Sequence, residues 1–260
     1  MNTFYSIYAF LFGSVIGSFL NVVILRLPEK GASIIFPASH CPQCKTSIGW
    51  YDNIPIVSYI LLRGKCRECG KHISMQYPLV ELCMAMLSVS LFKKFGISFE
   101  FFFYFLFSAS LLVIIFIDLS HQIIPNSISL GGIVIGFAGA FVNHQISWQQ
   151  SGLGILVGGG FFYVFALAYY WLTKREGLGG GDVKLLAMIG AFLGWQSILF
   201  VIFASSLSGS LVGVWVMVKH GKGMQAKIPY GPFLALAAFC YLFFSVPIMN
   251  FWFRYGTISF

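Results

Sequence analysis

The chain has 260 residues, of which 58% are hydrophobic and only 9% charged. Its mean hydropathy is +0.84. That balance excludes an ordinary soluble domain and marks a polytopic membrane protein. The net charge of +8 does not indicate a nucleic-acid partner, because the basic residues lie in loops between apolar segments and report topology.

The expected fold class is an all-α polytopic membrane protein with about eight transmembrane helices and a small four-cysteine domain after the first. The first apolar segment runs from Phe4 to Leu25. It lacks a basic leader region and a small-residue cleavage pattern, so it reads as a retained helix, residues 1–25, rather than a cleaved signal. Gly13 and Gly17 form a GxxxG face for close packing. Asn21, near the helix end, reads as a helix–helix hydrogen bond before it reads as catalytic.

Charge and proline return over residues 26–77. Prolines 28, 37, 42 and 55 break any long helix there. The segment reads as a small extramembrane domain. It holds Cys41-Pro42-Gln43-Cys44 and Cys66-Arg67-Glu68-Cys69, with 21 residues between the pairs. Two CxxC knuckles at this separation suit a structural Zn²⁺ held by Cys41, Cys44, Cys66 and Cys69. So small a domain has little core, and a metal would staple it. Two disulfides or four idle thiols are the alternatives. His40 and His72 flank the knuckles and read as bystanders. Cys83 and Cys240 read as buried hydrophobes.

Seven more apolar segments follow, near 78–95, 97–118, 127–143, 152–172, 183–196, 198–218 and 232–250. Residues 78–260 thus read as one membrane-embedded unit. Glycine pairs recur at Gly132/Gly136, Gly154/Gly158, Gly190/Gly194 and Gly209/Gly213, which predicts tight helix crossings. Alternating the segments across a bilayer puts thirteen basic residues on the side of the cysteine domain and three (Lys93, Lys94, Arg254) on the other. The positive-inside rule then makes the cysteine side cytoplasmic, a reducing compartment that suits thiolate ligands.

The same alternation places two of the three aspartates, Asp118 and Asp182, on that cytoplasmic side. Asp118 ends a strongly apolar run. Asp182 ends the glycine run Gly179-Gly180-Gly181, within Gly177 to Leu186. Val183 to Trp195 spans only about 20 Å against about 30 Å of hydrocarbon. A sunken helix start would bring Asp182 within reach of Asp118. Facing carboxylates can hydrolyse a peptide bond: one takes a proton from water while the other, protonated, polarises the carbonyl. The glycines would admit an extended substrate backbone. Two independent helix caps, or a proton-relay pair in a transporter, are the competing readings. Glu81 and Glu100 read as interfacial, and Glu81 lies near the cytoplasmic side, where a second activity would have use for it.

An ordered set of motifs then stands out. It comprises Gly17-Ser18-Phe19-Leu20-Asn21-Val22-Val23-Ile24 with Arg26-Leu27-Pro28, the two cysteine knuckles, Trp50-Tyr51-Asp52-Asn53-Ile54-Pro55 and Tyr77-Pro78-Leu79-Val80-Glu81. It continues with Ile117-Asp118, Gly179-Gly180-Gly181-Asp182-Val183-Lys184 and Pro229-Tyr230-Gly231-Pro232-Phe233-Leu234-Ala235. In these the chain resembles the type IV prepilin peptidases, aspartic membrane proteases of the GxGD class. The resemblance implies that Asp118 and Asp182 are catalytic. It implies removal of the basic leader of prepilins or pseudopilins at the cytoplasmic face of a bacterial inner membrane. It also implies N-methylation of the new terminus from S-adenosylmethionine, since the four-cysteine domain is complete. One departure is Asn126, where many relatives carry an acidic residue after the proline. Membrane lipid and prepilin substrates are the expected partners, and nucleic acid is not.

Overall fold

The computed structural model describes residues 2–29, 31, 33–36, 38–173, 179–220 and 229–256. Lys30, Lys174, Arg175, Lys222 and Lys227 of the charge-sidedness argument lie outside the described residues, as do Gly177 and Leu178. Among the described residues there is no strand, and only two isolated β-bridges occur. The chain forms two compact units, Met1–Ile117 and Asp118–Phe260.

In the first unit, α1 (Asn2–Arg26) packs along α3 (Gln76–Phe95). The contact follows from glycine. A Cβ at Gly13 would lie 2.6 Å from the Ser88 Cβ, and one at Gly17 would lie 2.7 Å from the Glu81 Cα. The GxxxG face predicted from sequence is therefore the α1–α3 crossing. Asn21 is 1% exposed and donates to the Tyr77 carbonyl at 3.1 Å, the helix–helix bond expected of it. Between these helices lie a 3₁₀ turn (Trp50–Asn53), the short α2 (Val57–Leu61) and the cysteine knuckles. Most of α4 (Phe99–His121) belongs here, with Phe105 against Phe12 at 5.0 Å between ring centres.

The second unit is built around α8 (Gly180–Leu193). Nine of its 14 residues are buried, which marks a helix covered on every side. α5 (Asn126–Gly139), α6 (Trp148–Ile155), a π-helical stretch (Leu156–Phe161), α7 (Phe162–Thr173), α9 (Trp195–His220) and α10 (Gly231–Gly256) surround it. Three glycine crossings bring the neighbours in. A Cβ on Gly154 or Gly190 would run into the other glycine's backbone. A Cβ on Gly158 would lie 2.6 Å from the Leu186 carbonyl oxygen, and one on Gly136 2.8 Å from the Ala191 Cβ. Ser151 adds a buried hydrogen bond to the Ala191 carbonyl at 2.7 Å.

Each of the eight apolar segments coincides with a helix. Among the described residues five helical spans are long and apolar enough to cross a membrane (α1, α4, the continuous run α6 to α7, α9 and α10), and α5 is a shorter apolar helix. One expectation needs correction, and one competing reading is excluded. Cys83 is half-buried and Cys240 is exposed, so Cys240 is not a core residue. In a membrane helix an outward position faces lipid, which is as apolar as a core. Asp182 does not cap α8 either: Gly179 holds the N-cap position, Asp182 is the third helical residue, and no side chain caps the helix.

Gly190→Val should put a branched side chain against the Gly154 backbone. The cost of such overpacking is about 1–3 kcal/mol or more. The expected result is a clearly lowered thermal transition in detergent, with Gly131→Val, which meets open space, as the harmless comparison.

Candidate active site and metal centre

Asp118 lies three residues before the end of α4 and is 5% exposed. A carboxylate at a helix C-terminus opposes the helix dipole, so it needs other support. The support is the backbone N–H of Gly231, which donates to Asp118 Oδ2 at 2.9 Å from 113 residues away. Only glycine fits there: a Cβ at residue 231 would lie 2.7 Å from that same oxygen. Tyr230, next in the chain, anchors the turn by its hydroxyl, 2.7 Å from the Ser205 hydroxyl.

Asp182 is half-buried, and its carboxyl folds over Gly179, where a Cβ would lie 2.9 Å from Oδ2. At the third position of α8 its charge is favoured by the dipole. Ile124 lies against the neighbours of both aspartates. A Cβ on Gly181 would lie 3.1 Å from the Ile124 Cβ, and one on Gly231 3.4 Å from the Ile124 Cδ1. The charge of Asp118 acts on Asp182. Beside them, Lys184 donates to the Asn126 Oδ1 at 2.8 Å, so the departing Asn126 still pairs α5 with α8. Gly179 and Gly180 are exposed, and nothing stands within 4 Å of where a Gly180 Cβ would be. The segment at Gly231 is the part of the site that residue types alone did not reveal. Its only sequence signal is the Pro-Tyr-Gly-Pro run at a helix start.

The four cysteines of the first unit converge. Their Sγ atoms all lie within 4.8 Å of one another, with Cys41 and Cys69 at 3.9 Å. Tetrahedral Zn–S bonds of about 2.3 Å require sulfurs about 3.8 Å apart, so the donor set fits zinc. All four are free thiols, which removes the disulfide alternative. The knuckles are copies of one another at an offset of 25 residues (66 − 41). Cys41 N–H donates to the Thr46 carbonyl and Cys66 N–H to the Lys71 carbonyl; His40 bridges Ser47 as Lys65 bridges His72. Each turn needs positive φ after its second cysteine, at Lys45 (60°) and Gly70 (67°). Hydrogen bonds from the Thr46 side chain and backbone pull the Cys44 thiol down to about 6, toward the thiolate a metal needs. Neither histidine joins the cluster. Bidentate Arg67–Asp52 hydrogen bonds at 2.8 and 2.6 Å brace the second knuckle.

Between these knuckles and the ends of α1 and α3 lies a cavity of about 940 Å³. Ser18, Asn21, Tyr51, Ile56, Tyr77 and Glu81 are among its walls. Its size is that of a small-molecule site.

Two family models match the chain. The Bacterial Peptidase A24 N-terminal domain covers residues 11–95, and the Type IV leader peptidase family covers residues 105–214. A prepilin leader peptidase/N-methyltransferase of Xanthomonas campestris pv. campestris is 36% identical, over 95% of this chain and 93% of its own. A protein of the same description from Pseudomonas putida is 35% identical, over 88% and 87%. That of Myxococcus xanthus is 38% identical over 84% of this chain, which spans 65% of the relative. No solved structure matches. A chain with long apolar helices and a four-cysteine cluster is thus placed among the leader peptidases. The chain belongs to the type IV leader peptidase family, and is an enzyme of that class.

Elemental analysis of reduced, purified protein should find about one zinc per chain. Replacing Cys41 and Cys69 together by serine should release it and open residues 38–73 to proteolysis. Zinc-free protein that keeps this segment protected would rule out the metal staple.

Proposed function

We propose that the chain cuts the basic leader from prepilins or pseudopilins at the cytoplasmic face of a bacterial inner membrane, then N-methylates the new terminus. On this reading Asp118 and Asp182 are the catalytic pair, and Gly179, Gly180 and Gly181 form the approach for the substrate backbone. All eight apolar helices cross the membrane. Residues 26–77 are a cytoplasmic zinc domain, and residues 78–260 carry the protease. The observation that carries the proposal lies within the second unit: Gly231 N–H donates to Asp118, and Ile124 lies against both Gly231 and Gly181, the residue before Asp182.

Gly231 N–H faces Asp118 Oδ2. That N–H stabilises negative charge on Oδ2, so the other oxygen of Asp118 is the better placed of the two to meet water or a shared proton. Two carboxyls sharing one site do not both ionise readily, so one takes the proton from water while the other donates to the scissile carbonyl. The open face at Gly180 lets an extended chain lie beside the pair. Methylation is assigned to the first unit, where the cavity of about 940 Å³ is of the right size for S-adenosylmethionine. When bound, that cofactor supplies an electrophilic methyl group. The chain's part is to hold the donor and the new amino terminus together and dry.

Asp118→Asn and Asp182→Asn should each reduce cleavage of a purified prepilin to background, because the pair acts as one unit. Gly231→Ala should cost about 10²-fold, chiefly in kcat, through displacement of Asp118. Chelators should leave cleavage unchanged. Asp182→Asn protein should still methylate a pre-cleaved pilin, read by mass spectrometry of its amino terminus. Cleavage at the wild-type rate by either asparagine variant would refute the dyad.

A further inference from the structure

The first unit holds a carboxylate that the cleavage reading does not use. Glu81, in the second turn of α3, is 7% exposed and lines the cavity. A buried carboxylate is costly unless its charge is met. Both partners of Glu81 among the described residues are neutral. The Ile56 N–H donates to Oε2 at 2.7 Å, and the Ser18 hydroxyl also bonds the carboxyl.

Of the four Lys and Arg side chains in the cavity walls, three are held elsewhere, and the fourth, Lys45, makes no ion pair with Glu81 among the described residues. Arg67 pairs with Asp52. Lys71 donates to the Gln43 side chain at 2.9 Å, and Arg26 to the Ser33 carbonyl at 3.0 Å. None of them reaches Glu81. A second polar atom nearby is also unmet: Asn21 Oδ1 is buried and has no hydrogen-bond partner.

The backbone that grips Glu81 is strained. Ile56 has φ 63° and ψ −49°, and Val57 N–H closes back on the Pro55 carbonyl at 2.6 Å. This is a γ-turn with positive φ, a rare and strained form, and a β-branched residue takes it badly. Such strain persists only where the surroundings enforce it, and it clusters at ligand sites. Here it aims the Ile56 N–H at one oxygen of Glu81 and fixes the plane of the carboxyl. The sequence supplies an anion, orients it with neutral donors and withholds the nearby cations.

We propose that Glu81 is the counter-charge for a cationic group bound in this cavity. This rests on the methyl-transfer reading, which names two such cations: the sulfonium of the methyl donor and the amino terminus of the cleaved pilin. Asn21 Oδ1, if the ligand reaches it, accepts a hydrogen bond from the same cation or its neighbour. Glu81 is thus a binding residue that selects for positive charge.

The test is calorimetric binding to the full-length protein, with no turnover needed. In one arm the wild type is titrated with S-adenosylmethionine and with S-adenosylhomocysteine, which lacks the sulfonium charge. In the other arm it is titrated with a pilin amino-terminal peptide, free or acetylated at its amine. The expected result is a preference of about tenfold or more for the charged member in at least one arm, and the arm identifies the cation. Glu81→Gln keeps an oxygen for Ile56 N–H and removes only the charge, so that preference should vanish while the thermal transition holds. Binding in both arms with no charge preference in the wild type overturns the proposal without any variant. A preference that survives in Glu81→Gln overturns it as well. If the wild type binds neither S-adenosylmethionine nor its product, the methyl-transfer reading itself fails, and the inference falls with it.

Discussion

The second unit depends on one contact, the backbone-to-backbone crossing of α6 and α8 at Gly154 and Gly190. Lipid tails are as apolar as leucine, so burial gives helices little reason to associate in a bilayer. Close van der Waals contact must supply it, and the absence of two Cβ atoms makes the contact close. The flanking crossings at Gly136 and Gly158 repeat the device along the same helix. The result is a helix of 14 residues, about 21 Å long, that needs no match to hydrocarbon thickness because its neighbours cover it. A short covered helix can begin below the surface. In its first turn Gly181, next to Asp182, shares Ile124 with Gly231, whose N–H holds Asp118.

Much of this was legible in the chain itself. Apolar runs broken by charge, glycine, proline or short polar stretches located the long helices to within a few residues, because helices in lipid must satisfy their own backbone. The GxxxG face at Gly13 and Gly17 predicted a close helix crossing, which is made with α3, and the CxxC spacing predicted that the four cysteines converge. What stayed hidden was of one kind. The Gly231 N–H that supports Asp118 comes from 113 residues away, and the Ile56 N–H that holds Glu81 comes from a strained turn. Backbone donors carry no residue-type signature, so sequence pattern does not announce them. The duplication of the knuckles was hidden for a related reason: what repeats is a backbone turn, and beyond the cysteines its side chains differ.

Asp182's role as a helix cap was the plainest alternative to a functional one, and geometry decides against it. A capping carboxylate sits at the N-cap and accepts an N–H of the first turn. Here the N-cap is Gly179, and no side-chain cap bond forms. Asp118 fits a cap still less, since acids are disfavoured at helix C-termini. Both placements carry a cost or forgo a benefit, which is the pattern expected where a site, rather than stability, sets the residue.

The two buried carboxylates of the two units solve one problem in the same way. Asp118 and Glu81 are each buried on a helix, and each accepts at one oxygen the N–H of a residue at the start of another helix. An arginine in place of that N–H would hold the carboxyl more firmly, but it would also neutralise it and occupy both oxygens. A neutral backbone donor fixes orientation and leaves the charge and one oxygen unspent. For Asp118 the unspent oxygen is what a water or a shared proton requires. For Glu81 the unspent charge is what a cation in the cavity requires. Glycine pays for the first arrangement by its missing Cβ at residue 231, and a strained γ-turn maintains the second at Ile56.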